Sequence, residues 1–216
     1  MTPELVRAEG YRILGACFGY PDPERLLEEL RGAEAAPAPV SELASLAYLV
    51  DDDVAGEHNR LFAQTVVVPP YETSYMRADK GSRLGQLAAL YDAFGARTGG
   101  EERENADHVG TELEFAALVC LKEALAAHAR DEERTAIARD VHGVFAREHL
   151  GRWIPAFAER LHASTTHPFY QHASRLLAAW VARDLDEHGW SADPLDGPLP
   201  PEDDACLACP MAPKDT

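Results

Sequence analysis

No stretch of this chain approaches the roughly 18–20 consecutive apolar residues that a bilayer-crossing helix requires, although 46% of its 216 residues are hydrophobic. Stable membrane insertion is therefore not expected. Residues 1–20 carry Glu4 and Glu9 and lack the basic, apolar, small-residue succession of a secretory signal, so the chain is expected in the cytoplasm. Basic residues are scarce: 20 Lys and Arg stand against 37 Asp and Glu, a formal charge of −17. That balance argues against nucleic acid and anionic membrane surfaces as partners, because both are held largely by Lys and Arg. An acidic surface attracts a basic peptide instead, although acidity that serves only solubility gives the same sum. The chain has four cysteines, too few for a disulfide framework at this size. Cys17 and Cys120 fall within apolar helical patterns, and only Cys206 and Cys209 form a close pair. Strand signals are nearly absent, since the single β-branched run, Val66-Val67-Val68, is closed by Pro69-Pro70 and has nothing to pair with. No internal repeat is visible.

What remains is helical punctuation. Residues 4–19 place Tyr11, Leu14 and Phe18 on one face and stop before Pro21. Asp22 and Pro23 then open a short helix to about Arg31, as an N-cap followed by proline in the first turn. Residues 32–39 read as a flexible connection, Ser41 to Val50 as a third helix, and Val54 to Thr65 as a fourth capped from Asp51-Asp52-Asp53. From Ser82, residues Leu84, Leu87, Tyr91 and Phe94 form the stripe of a core-facing helix. Asp107 heads a long helix whose apolar face is so wide that it reads as the central, most buried one. Asp131 caps the next, and Gly151 breaks the chain before a shorter helix holding Pro155 near its start. The last helix runs from Pro168 to Gly189. The expected fold class is all-α, a single globular bundle of about eight or nine helices. Residues 1–189 form the domain, and residues 190–216 are an acidic, proline-rich tail with the pattern of a disordered segment.

The chemistry-bearing motifs are largely missing. There is no Walker loop, Rossmann glycine fingerprint, Gly-x-Ser-x-Gly or His-Glu-x-x-His, and of the two Glu-x-x-His pairs a di-iron bundle needs only Glu159 with His162 is present. No catalytic residue, cofactor or metal is expected. The polar positions that stand out lie in two loops bracketing the Ser82 helix. Tyr71, Glu72 and Tyr75 follow two prolines, where extended backbone offers aromatic side chains for contact, or packs them against helices. Asp107 and His108 sit at a helix start, where Asp107 suits an N-cap on Val109 and Gly110 and the pair also suits a pH-sensitive contact point. Glu112 lies one turn below His108, on the side read as exposed, placed to orient the imidazole. Cys206-Leu-Ala-Cys209 has dithiol spacing but supplies two ligands where metal closure usually takes four. It reads either as inert or as a redox or partner-shared metal pair.

These residues resemble a family, the TorD/DmsD/NarJ-type redox-enzyme maturation chaperones. The resemblance runs from Tyr11-Arg-Ile-Leu-Gly-Ala-Cys-Phe-Gly-Tyr-Pro-Asp through Phe145-Ala-Arg-Glu-His-Leu-Gly-Arg-Trp-Ile-Pro to Phe169-Tyr170, and is most specific at Asp107-His108, Glu112-Leu-Glu-Phe115 and Pro70-Tyr71-Glu72. Glu104-Asn105-Ala106 departs from the acid-proline segment that often precedes the Asp-His pair, and the Cys206/Cys209 tail is not a general family feature. The resemblance implies an all-helical cytoplasmic chaperone and no enzyme. It would bind the twin-arginine leader and body of the apo catalytic subunit of a molybdenum oxidoreductase, delaying export until the cofactor is inserted. Client contact is then expected at Tyr71, Glu72, Tyr75, Asp107 and His108, with Glu112 in support, in a monomer or homodimer. A helical redox or metal module built on Cys206 and Cys209 is the alternative, and nucleotide binding with slow hydrolysis is a weaker one.

Overall fold

A computed structural model of the chain describes residues 1–64, 66–76, 79–96, 105–195 and 197. Cys206, Cys209 and Glu104 lie outside the described residues. Among the described residues the architecture is all-α with no strand. Helix α1 (Pro3–Phe18) starts at a Thr2 cap, and α2 (Pro23–Gly32) starts where the Asp22 carboxylate accepts from the amides of Glu24 and Arg25. These are the ends that Pro and Asp dictate.

The next stretch departs from the expected pattern. Residues 32–39 are not a featureless connection: Ala33–Ala35 form a 3-10 turn with Ala33 buried, and the Ala38–Pro39 peptide is cis. The third helix shrinks to one α turn, α3 (Val40–Leu43), followed by 3-10 backbone over Ala44–Leu49. The fourth is α4 (Val54–His58), which widens into a π turn at Asn59–Gln64. The valine run is not extended: Val66 lies in the left-handed region, φ 43°, and Val67 and Val68 form a bend, yet Val68 is buried and its N–H donates to Leu61 O at 3.0 Å, while the Arg160 guanidinium donates to Val67 O at 3.0 and 2.9 Å.

Helix α5 (Lys80–Ala93) is capped by Asp79 and buries Leu87 and Tyr91. Helix α6 (Val109–His128) carries the largest set of buried residues of any helix and is the central one, although Leu121 and Leu125 near its C-terminal end are exposed. Helix α7 (Glu132–Phe145) does not stop at Gly151: a π turn at Ala146–Leu150 leads directly into α8 (Gly151–Ser164), with Pro155 inside it. A final helix, α9 (Pro168–His188), ends on Gly189 in the left-handed region, φ 63°.

The layers follow from three antiparallel partnerships, α1 on α6, α6 on α7 and α8 on α9. Helices α1 and α6 approach through glycines: a Cβ at Gly15 would meet Gly110 O at 3.4 Å, and one at Gly110 would meet Gly15 O at 3.4 Å. Between the layers lies an aromatic core in which Phe18, Phe62, Tyr75 and Trp153 all pack against Phe157. The first residues ascribed to the tail also belong to the body. Trp190 sits over Gly143, Leu195 N–H donates to Arg152 O at 2.8 Å, and Leu195 packs against the core.

Gly10 on α1 is covered by the indole of Trp180, and a Cβ there would lie 1.9 Å from a ring carbon. Alanine would gain ~1 kcal/mol of helix propensity, but overpacking a fixed core costs ~1–3 kcal/mol. At so short a distance the clash wins. Gly10→Ala is expected to lower stability by about 1–2 kcal/mol, measured by urea unfolding; an unchanged midpoint would mean that the indole moves aside freely.

Candidate functional site

The two loops singled out in the sequence are zipped together along their backbones. Tyr71 and His108 form an isolated antiparallel bridge, Glu72 N–H donates to Asp107 O at 2.9 Å, and Val109 N–H donates to Pro70 O at 2.8 Å. Helix α5, which lies between them in sequence, seals the junction by donating the Tyr91 hydroxyl to Ala106 O at 2.8 Å. All six expected residues therefore come to one place. Their exposure is another matter: Glu72 and Glu112 are 0% exposed, Tyr75 and Asp107 2%, and His108 3%. Only Tyr71 is partly exposed, at the rim, its ring edge-on to His108 with centroids 5.5 Å apart.

Each buried group has a structural task, and several differ from the sequence reading. Asp107 does not cap α6. Its Oδ2 accepts from both the N–H (3.2 Å) and the hydroxyl (2.6 Å) of Thr73, locking the 3-10 turn Glu72–Ser74. His108 is the N-cap of α6 instead, its Nδ1 accepting from Gly110 N–H at 3.1 Å. Burial, helped by the charge of His58, pushes the His108 imidazole down to about 4, so it is neutral at physiological pH and keeps the bare nitrogen that capping requires. Tyr75 enters the core against Trp153 and Phe157 and donates its hydroxyl to Pro69 O at 3.1 Å.

Glu112 is not on an exposed side of α6 and does not orient His108. Its Oε2 accepts from Trp153 Nε1–H at 2.9 Å, and its Oε1 has no hydrogen-bond partner among the described residues. Burial first, and then the charge of Glu72, holds this carboxyl well above the usual range, so it carries a proton. Glu72 takes the opposite course. Burial alone would raise it, but hydrogen bonds from His149 and Arg83 more than offset this and leave it lowered and ionised. Arg83 Nη2 and Nε lie 2.6 and 3.1 Å from the two Glu72 oxygens, and the same guanidinium reaches Glu148 O at 2.8 Å. His149 Nδ1 lies 3.1 Å from Glu72 Oε2 and 3.0 Å from Arg83 Nη2.

Arg83, His149, Trp153 and Thr73 are the site residues that sequence reasoning missed. One signal was available: Arg83 stands four residues before Leu87 and eight before Tyr91, a basic residue in register with an apolar stripe. Glu72, Glu112 and His149 have metal-ligand chemistry and stand close together, but Arg83 already supplies the cation, so an ion would have to displace a bidentate guanidinium.

The paired loops thus carry one partly exposed tyrosine above a buried, hydrogen-bonded polar network on an all-helical body. The chain belongs to the nitrate reductase delta subunit family, matched over residues 30–159, and with it to the TorD/NarJ-type redox-enzyme maturation chaperones, which are not enzymes. It is 36% identical over 171 residues to the selenate reductase assembly chaperone protein of Thauera selenatis, covering 76% of this chain and 80% of that one. The chlorate reductase assembly chaperone protein of Ideonella dechloratans is 32% identical, over 74% and 78% of the two chains. A crystal structure described as a redox enzyme maturation protein of Archaeoglobus fulgidus shares the fold, with a TM-score of 0.53 at 21% identity, covering 81% of this chain and 93% of that one.

Two outcomes are expected of this geometry. In the unfolded chain Glu112 titrates near 4.5, whereas in the fold it keeps its proton to higher pH. Stability is therefore lost as pH rises from that value through the folded one. Glu112→Gln keeps the acceptor for Trp153 and removes this dependence, so its melting temperature should gain on the parent at pH 8 relative to pH 5; parallel profiles would contradict a protonated Glu112. Asp107→Ala strands two donors of Thr73 and should cost about 1–3 kcal/mol in denaturant unfolding. A loss under a few tenths would show that water replaces the carboxylate.

Proposed function

We propose that this chain is the assembly chaperone of a molybdenum-containing reductase, binding the leader and body of the apo catalytic subunit in the cytoplasm until its cofactor is in place. The observation that carries the reading is its similarity to two reductase assembly chaperones, at 36% and 32% identity over about three quarters of the chain. The formal charge of −17 suits a client whose leader is arginine-bearing, by steering encounter more than by adding affinity. Within the site, Tyr71 is the residue that meets the client. Glu72, Tyr75, Asp107, His108 and Glu112 act from beneath it, by fixing the backbone that presents the ring.

This division of labour changes what a binding experiment has to separate. Alanine at Asp107 or His108 would confuse lost contact with lost folding, whereas Tyr71 stands at the rim. Calorimetric titration of the full chain with the synthetic leader of a co-occurring reductase subunit is expected to show binding that Tyr71→Ala weakens by about tenfold or more, a typical loss for an interface aromatic, with the unfolding midpoint unchanged. Equal affinity would remove the Tyr71 face from the contact. Failure of the catalytic subunit to co-purify with the chain on co-expression would overturn the chaperone reading itself.

A further inference from the structure

A second polar cluster lies away from the paired loops, where α7 meets the end of α9, and client binding does not call on it. His142 reaches from α7 and Asp184 and His188 stand one turn apart on α9. His142 Nε2 lies 2.8 Å from Asp184 Oδ2, His188 Nδ1 lies 3.4 Å from Asp184 Oδ1, and one ligand atom from each of the three falls within 4.8 Å of the others. We infer that His142, Asp184 and His188 form a binding site for one divalent first-row transition ion of the Zn2+ type.

The donor set is the reason for that class of ion. Two imidazoles and one carboxylate suit Zn2+ and its neighbours rather than Ca2+ or Mg2+, which take oxygen ligands. Ligand bonds of roughly 2.0–2.2 Å around a tetrahedral ion put the ligand atoms about 3.3–3.6 Å apart, which the spacing between His188 and Asp184 matches; the shorter contact of His142 with the other Asp184 oxygen would have to open. Asp184 is buried, yet its Oδ1 has no hydrogen-bond partner among the described residues. A buried oxygen left without a hydrogen bond is costly, and the neighbouring His142 Nδ1 and Arg7 Nε share that state. Supports stand behind the ligands as well: Tyr11 donates its hydroxyl to Asp184 Oδ2 at 2.5 Å, and the Trp190 indole stacks on His188 with centroids 4.2 Å apart.

Two features act against an ion, and neither decides. Arg7 Nε approaches Asp184 Oδ1 to 3.8 Å, outside hydrogen-bond reach, while its Nη2 is committed to Glu123 at 3.1 Å. His188 Nδ1 is 2.7 Å from its own-turn carbonyl at Asp184, so metal uptake displaces the proton of that contact and releases it to solvent. The side chain of His188 is 19% exposed, which gives an ion a way in. A bound ion would join α7 to the end of α9 and to the Trp190 segment that follows.

The test uses the full chain carrying Cys206→Ser and Cys209→Ser, so that the dithiol cannot contribute. Co2+ titration is expected to reach one equivalent with visible ligand-field bands, and Zn2+ to raise the melting temperature. His188 sits at the edge, so His188→Gln leaves the fold intact and should weaken binding by at least about tenfold, the lower end of the loss seen when even an outer partner of a metal ligand is removed. Absence of a one-equivalent complex, or equal affinity in His188→Gln, overturns the site. Dispersed binding to the other histidines would show itself as that second outcome.

Discussion

Glu72 is a carboxylate without solvent access, and it is tolerated there because Arg83 comes to it from α5 and His149 from the turn between α7 and α8. Removing one member of such a buried pair leaves the other uncompensated, at a cost of ~3–5 kcal/mol. The arrangement of the paired loops depends on this neutralisation. With Glu72 held, the 3-10 turn that follows it is fixed, Thr73 can lock onto Asp107, and Tyr75 is turned into the core. The neighbouring Glu112 shows the other solution to the same problem: having no cation of its own, it keeps its proton.

The central helix supplies buried acid to both polar networks. Glu112 serves the loop pair, and Glu123, eleven residues on, is met by Arg7 from α1 at 3.1 Å and Arg139 from α7 at 2.9 Å. Eleven residues make three turns, so both carboxyls lie on nearly the same face of α6. Apolar packing alone is non-directional, and α1 crosses α6 through glycines that leave the contact smooth. The two carboxyl groups, each tied to particular side chains on neighbouring helices, specify how far along α6 those neighbours sit.

Much of this was legible in the residue order. Proline and aspartate at helix starts, and glycine after the last helix, act through local sterics and local hydrogen bonds, which is why α1, α2 and α9 were read with close boundaries. The region from Gly32 to Gln64 was not, because an apolar spacing of three or four does not distinguish one α turn from 3-10 or π backbone. Gly151 was misread as a break for a related reason: besides Ala146 O in the π turn before it, Leu185 and Ala192 pack over it, and neither of those is near it in sequence. At the site, the loops could be brought together from their polar aromatic character, but their burial could not. Tyrosine and glutamate after prolines look like surface until Arg83 and His149, 11 and 77 residues away, are seen to neutralise Glu72.

The bridge between Tyr71 and His108 has a topological consequence. It converts the chain between them into a closed excursion that leaves and rejoins the body at one point. Within that excursion Arg83 is moored on Glu72, His149 and Glu148 O, Tyr75 on Trp153 and Phe157, and Tyr91 on Ala106 O and Phe115. The two loop ends are thereby held at one separation, and closing the chain between them costs an entropy that grows only slowly with its length.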